Sequence, residues 1–181
     1  GRAPLPPRTV DYAVAATVRD FSSASVSSLT VKSNTEALET TKPFTVSFTN
    51  GVVVDGLDAR ISKNGREAGR ITASATQAAD GIRTSARLTG IDLETVAALA
   101  GIDPLKGTLE ATAELDGAAG RASLDGSIGA LRASGAAGRA PPADIAFNGT
   151  WSGGQFRLSA TATAAGLPGA SAEIAFPLAR A

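Results

Sequence analysis

The stretch LKGTLEATAELDG, Leu105 to Gly117, decides the fold class of this chain. Leu105, Leu109, Ala111, Ala113 and Leu115 share one parity, with Gly107 among them. Lys106, Thr108, Glu110, Thr112, Glu114 and Asp116 hold the other. Successive side chains of a β-strand point to opposite faces, so this segment is a ribbon with one apolar side and one charged side. What covers the apolar side is then the question that decides function.

The same rhythm extends in both directions. In VDYAVAATVRDF the even positions Val10, Tyr12, Val14, Ala16 and Val18 are apolar, opposite Asp11, Thr17 and Arg19. SLTVKS sets Leu29 and Val31 against Thr30 and Lys32. PFTVSFTNG groups Phe44, Val46 and Phe48 and ends in Asn50-Gly51, a strong hairpin signal. VVVDGLDARIS follows, with Leu57, Ala59 and Ile61 on one side, and a second turn stands at Asn64-Gly65. GRITASATQ and DGIRTSARLTG make a further pair around Asp80-Gly81, with Ile82, Ala86 and Leu88 inward. GRASLDGSIGALRASG, PADIAFNGTWSGG, GQFRLSATATAAG and ASAEIAFPLAR continue the pattern. Strands and turns recur every ~8–12 residues, the spacing of an all-β protein.

One segment differs. GIDLETVAALAGIDP starts a helix at Asp92, places Val96, Leu99 and Ala100 on one face, and stops at Gly101 and Pro104. Acidic residues near its start suit the helix dipole. At about two and a half turns it is too short to stand alone and is expected to dock on the sheet near residues 92–100.

Composition narrows the function. The chain has 181 residues, a formal net charge of +0, and no Cys, Met or His. No basic footprint for nucleic acid is visible. Without His or Cys there is no Ser-His-Asp or Cys-His arrangement, no imidazole or thiolate zinc site, and no disulfide framework. No cofactor is expected, and the chain reads as a non-enzyme. Glu110 and Glu114 lie on one strand face and read as solvated. Asp55 and Asp58, near Gly56, lack EF-hand spacing and read as a turn. No apolar run spans a bilayer as a helix. The Pro-rich opening GRAPLPPRT, residues 1–9, reads as a linker or edge, with residues 10–181 as a single domain. Aromatic residues make up only 4% of the chain and much of its apolar content is Ala, so bulky filler for a two-sheet core is scarce. That scarcity favours an extended sheet.

The order of segments also resembles a known family. FTVSFTNGVVVDGLDARISKNGREAGRITASATQAADGIRTSARLTGIDLETVAALAGIDPLKGTLEATAELDGAAGRASLDGSI, roughly Pro43 to Ile128, resembles the TamB (translocation and assembly module) family and its AsmA-like relatives. The shared features are a strand pair around an NG turn, the GRITASA strand, the GIDLETVAALAG segment, then LKGTLEATAELDG and LDGSI. The resemblance implies an elongated antiparallel sheet curled into a trough, a β-taco with an apolar interior. It further implies a periplasmic setting, in a parent protein anchored in the inner membrane of a Gram-negative bacterium. Phospholipid acyl chains are the implied cargo. A TamA-like outer-membrane barrel and nascent outer-membrane proteins are implied partners, as in autotransporter assembly. The family's anchor and C-terminal end are not evident here, so an internal fragment is expected.

Parity assigns the groove-lining residues: Tyr12, Val14, Val18, Leu29, Val31, Phe44, Val46, Phe48, Leu57, Ile61, Ile82, Leu88, Leu109, Leu115, Ile145, Phe147, Phe156, Leu158, Ile174 and Phe176. Trp151 stands either at a groove edge or in a core. Periodicity alone leaves a rival, a structural or adhesive β-sandwich module whose apolar parity packs a closed core. A third reading has open sheet edges templating incoming strands.

Overall fold

Two-residue turns with left-handed backbone close several of the hairpins. Asn64 and Gly65 (φ 52° and 75°) join paired Lys63 and Arg66, and Gly153 and Gly154 (φ 59° and 78°) join Ser152 and Gln155. Positive φ at both central residues matches the right-handed twist of the flanking strands. The computed structural model describes residues 11–19, 22–48, 53–78, 81–100, 105–133 and 141–177. The expected Asn50-Gly51 turn, Asp80, and the helix stop at Gly101 and Pro104 lie outside the described residues.

The described residues form one open antiparallel sheet of 13 strands and one helix. In chain order these are β1 (Asp11–Arg19), β2 (Ser23–Ser33), β3 (Glu36–Thr40), β4 (Phe44–Ser47), β5 (Val53–Asp55), β6 (Leu57–Lys63), β7 (Arg66–Ala78) and β8 (Gly81–Asp92). Then come α1 (Leu93–Ala100), β9 (Leu105–Asp116), β10 (Arg121–Ala133), β11 (Ala143–Ser152), β12 (Gln155–Ala164) and β13 (Ala170–Pro177).

β3 and β4 both pair with β2, Leu38 opposite Val31 and Phe44 opposite Val26. β6 and β5 pair in turn with β3 and β4. Thus β3 and β4 are one interrupted row, and β5 and β6 the next. The thirteen strands make eleven rows, each paired with its neighbour in sequence. The fold is an uninterrupted meander.

Bulges fall at the same end of consecutive strands. The register shifts between Ile61 and Ser62 in β6–β7, between Leu88 and Ile91 in β8–β9, and between Gly129 and Arg132 in β9–β10. A bulge bends its strand and leaves a backbone group without a ladder partner. Here carboxylates from the adjoining strand supply the partner. Glu110 Oε1 accepts from the Gly90 N–H at 2.7 Å, and Asp144 Oδ1 accepts from the Ala130 N–H at 2.8 Å. Glu110, read from sequence as a solvated group, is therefore a bulge latch.

Onto this bent end α1 docks. Asp92 caps it, accepting from the Thr95 N–H at 3.2 Å and from the Thr95 hydroxyl. Glu94 adds a negative charge to the first turn and meets Lys63 Nζ at 3.5 Å. The expected docking face is corrected here. Thr95 and Ala97 are the buried helix residues, while Ala100 is exposed and Val96 and Leu99 are half-buried. Small Ala97 lets the helix approach closely, and the cap consumes the Thr95 hydroxyl, so burying it leaves no orphan donor.

α1 packs on β2, β3, β6, β8 and β9. In a flat sheet β2 and β9 would lie about 24 Å apart, five row spacings, whereas an eight-residue helix is about 12 Å long. The sheet therefore curls about the helix. Beneath and beside it lie Ile61, Ala59 and Ile91, each at most 3% exposed, and Val26 and Phe44 are buried in the neighbouring rows. With Ala24 and, on the helix, Ala97, these complete the buried apolar core among the described residues. Among the described residues no second sheet packs across it, so they form no closed β-sandwich core.

Candidate functional site

Directly opposed residues of an antiparallel ladder share a face, so the register tests side-chain placement strand by strand. Tyr12 opposes Val31 and Val14 opposes Leu29, while Val18 and Val46 both oppose Ala24. Phe44 opposes Val26, and Val31 continues through Leu38 to Ile61. One row then runs Ile71–Leu88–Ala111–Gly126–Phe147–Ala160–Ala172 across β7 to β13. The next runs Leu57–Ala73–Ala86–Ala113–Leu124–Gly149–Leu158–Ile174. A third joins Leu115, Ala122, Trp151, Phe156 and Phe176. Leu109 opposes Ile128, which opposes Ile145, and Ile82 shares the parity of Leu88. Phe48 follows the parity of Phe44 and Val46 just past β4. The twenty parity-assigned residues thus lie on one face, and the two long rows contain no charged residue.

They are not equally accessible. Ile61 and Phe44 are covered by the protein itself. Tyr12, Val14, Val18, Phe48, Leu115, Ile174 and Phe176 are exposed, Tyr12 at 81%. The remaining eleven are half-buried, and along β12 and from Gly107 to Glu114 of β9 the apolar parity is less exposed than the polar one, while Leu115 at the end of β9 is exposed. Aromatic rings fill space that glycine leaves. A Cβ at Gly126 would come within 2.6 Å of the Glu110 carbonyl and closer still to the Phe147 ring. Phe156 stacks on Phe176, with ring centroids 5.3 Å apart and a 44° tilt.

Parity reading missed several members of this face. Ile71, Leu124 and Ile128 sit in regular alternation and were legible in GRITASA and LDGSI. Ile91 and Leu131 were not, because the Gly90 and Ala130 bulges switch parity within β8 and β10. Trp151 opposes Ala122 and Phe156, so it belongs to the apolar face, and its indole N–H is buried without a partner among the described residues.

The opposite face is ionic. Asp58, whose side chain is mostly buried, takes a bidentate grip from Arg70 at 2.8 and 2.7 Å. The Arg70 hydrogen bond holds the Asp58 carboxyl below the usual carboxylate range against the opposing effect of burial, and Asp58 raises Arg70 in return. Asp116 is also lowered, first by the Ala119 N–H at 3.0 Å and then by Arg83 and Arg121. Asp55 accepts from the Ala75 N–H at 3.1 Å.

Clefts lie on this polar side, and two of them follow its ionic rows. One of about 640 Å³ runs over Ser74, Ser85, Glu114, Ser123 and Thr150, flanked by Arg83, Asp116 and Arg121. The other, about 390 Å³, follows Asp58, Thr72 and Arg87. Long Arg and Glu side chains standing beside short Ser and Thr wall these clefts. The apolar face mixes Ala and Gly with Leu, Ile, Phe and Trp and carries no charged side chain in its two long rows. Ser74 and Ser85 hydroxyls bond each other at 2.8 Å, with no imidazole or thiolate in the chain to activate either. Among the described residues no group of three acidic side chains could hold a metal ion. No described helix is long and apolar enough to cross a membrane.

No family model, curated protein or solved structure matches the chain.

Proposed function

We propose that this chain is a segment of a TamB-like envelope protein whose apolar sheet face carries phospholipid acyl chains. The observation that supports this is an apolar face with no protein layer over most of it. Among the described residues, beyond neighbouring rows, only α1 packs across the sheet, at one end. From β7 to β13 the apolar face spans roughly 900 Å² as a sheet surface, part of it under α1 where the helix meets β8 and β9. Monomeric soluble proteins seldom leave more than about 300–600 Å² of contiguous apolar surface. A surface this large needs a covering, and an acyl chain supplies one.

Eleven rows at ~4.8 Å extend about 48 Å across the strands, whereas one leaflet's hydrocarbon is about 15 Å thick, half of a bilayer core. Burying a methylene yields ~0.8 kcal/mol, so a chain of ~15 carbons recovers on this face up to roughly 10 kcal/mol of what leaving a bilayer costs. Near-balance of the two favours transfer over tight binding. The two long rows suit it, because no charged side chain interrupts them. The same face would also shield apolar strands of an outer-membrane protein before insertion.

The test is solvent extraction and native mass spectrometry of the purified protein. Copurifying phospholipid in stoichiometric amount supports the reading. Protein that carries none, and takes none from vesicles of phosphatidylethanolamine and phosphatidylglycerol, contradicts it.

A further inference from the structure

The sheet is open, and its first strand is the more vulnerable edge. Among the described residues β1 pairs with β2 on one side only, and every residue from Asp11 to Arg19 is exposed. Natural edge strands are usually protected by Pro, Lys, bulges or shortness. β1 has nine residues, no Pro and no Lys. Its register shift against β2 comes from an extra residue on β2, Ser27, so β1 itself is regular. The Ser27 hydroxyl donates to the Ala15 carbonyl at 3.1 Å on the β2 side. By alternation, the N–H and C=O groups of Tyr12, Val14, Ala16 and Val18 face the open edge.

β1 is also complementary to itself. Its only charges are Asp11 at one end and Arg19 at the other, and neither is ion-paired among the described residues. We infer that β1 is a self-association edge, pairing antiparallel with β1 of a second copy about a two-fold axis at Ala15. In that register Asp11 faces Arg19 of the other copy at both ends. Tyr12 faces Val18 and Val14 faces Ala16, all on the apolar face, and Ala15 faces itself. The pairing joins the two sheets into one and makes their apolar faces continuous. β13 offers no such match, since Glu173 is its single charge and Pro177 ends it. The inference stands on the edge alone and does not depend on what the apolar face carries.

The absence of native Cys gives a clean test. Ala15 and its symmetry mate form a non-hydrogen-bonded pair, with Cα atoms about 4.5 Å apart, inside the disulfide range. Ala15→Cys alone should form a disulfide dimer under mild oxidation. Ala13→Cys and Thr17→Cys should each crosslink poorly alone and well when mixed. Sedimentation equilibrium of the unmodified chain should show a dimer. Asp11→Arg and Arg19→Asp should each weaken it several-fold at low salt, and the double swap should restore it. Amide exchange at Tyr12, Val14, Ala16 and Val18 should slow as concentration rises, a readout that needs no variant. A monomer at every concentration, with concentration-independent exchange, overturns the inference, as does crosslinking equally efficient at positions 13, 15 and 17 alone. Pairing of another segment of the same chain with β1 would give that monomeric result.

Discussion

Ile61 and Ile174 share one face of one sheet but differ in cover, and that difference fixes what their truncation costs. Ile61 is 2% exposed beneath α1, and Ile174 on the last strand is 57% exposed. Ile61→Ala removes three carbons from a packed site and leaves a cavity under a capped helix, for about 2–5 kcal/mol. Ile174→Ala removes the same carbons from a surface already more than half in contact with water. No cavity forms, and at ~0.8 kcal/mol per carbon scaled by its partial burial the loss is about 1 kcal/mol. For a domain of this size the melting temperature falls about 2–4 °C per kcal/mol, so the two variants should separate clearly in a thermal scan and in urea midpoints. Equal losses at both positions would mean that Ile174 sits in a closed core, and the uncovered-face account would fail.

Three further outcomes follow from the geometry. Gly126→Ala drives a methyl into the Glu110 backbone and the Phe147 ring, so chemical denaturation should show a loss of about 1–3 kcal/mol. Asp92→Ala should cost about 1 kcal/mol for the lost cap, plus about 1–3 kcal/mol because the buried Thr95 hydroxyl loses its acceptor; circular dichroism and urea midpoints read it. Asp58 and Asp116 both have lowered carboxyl pKa values when folded. Their stabilisation is therefore complete above the unfolded value of about 3.9 and is lost as pH falls through the folded values. Urea midpoints should drop on acidification below about pH 4, and Asp58→Asn should flatten that dependence.

Alternation made most of this fold readable. A two-residue period needs no tertiary information, so LKGTLEATAELDG, VDYAVAATVR and QFRLSATATA each announced a strand and its apolar side. The helix was readable as well, from Asp92 and the acidic first turn. What escaped were features that exist only across strands. The bulge at Gly90 moves Ile91 onto the apolar face, and nothing local marks the switch. Thr95 faces the sheet because Asp92 satisfies it, although polarity argued for the solvent side. The Asp58–Arg70 pair and the Glu110 latch join residues twelve and twenty positions apart, and depend on register. The burial of Ile61, with Ala59 and Ile91, reflects where a short helix lands. Parity tells which side a residue faces; it does not tell what, if anything, lies over that side.

Leu158 and Arg157 are adjacent in β12 and point to opposite faces, which makes them the sharpest probe of the proposed cargo. A photo-crosslinking amino acid at each position, irradiated with phospholipid vesicles, should yield lipid adducts at Leu158 and none above background at Arg157. Equal adduct formation at both, or preference for Arg157, would contradict the claim that the uncovered apolar face carries acyl chains.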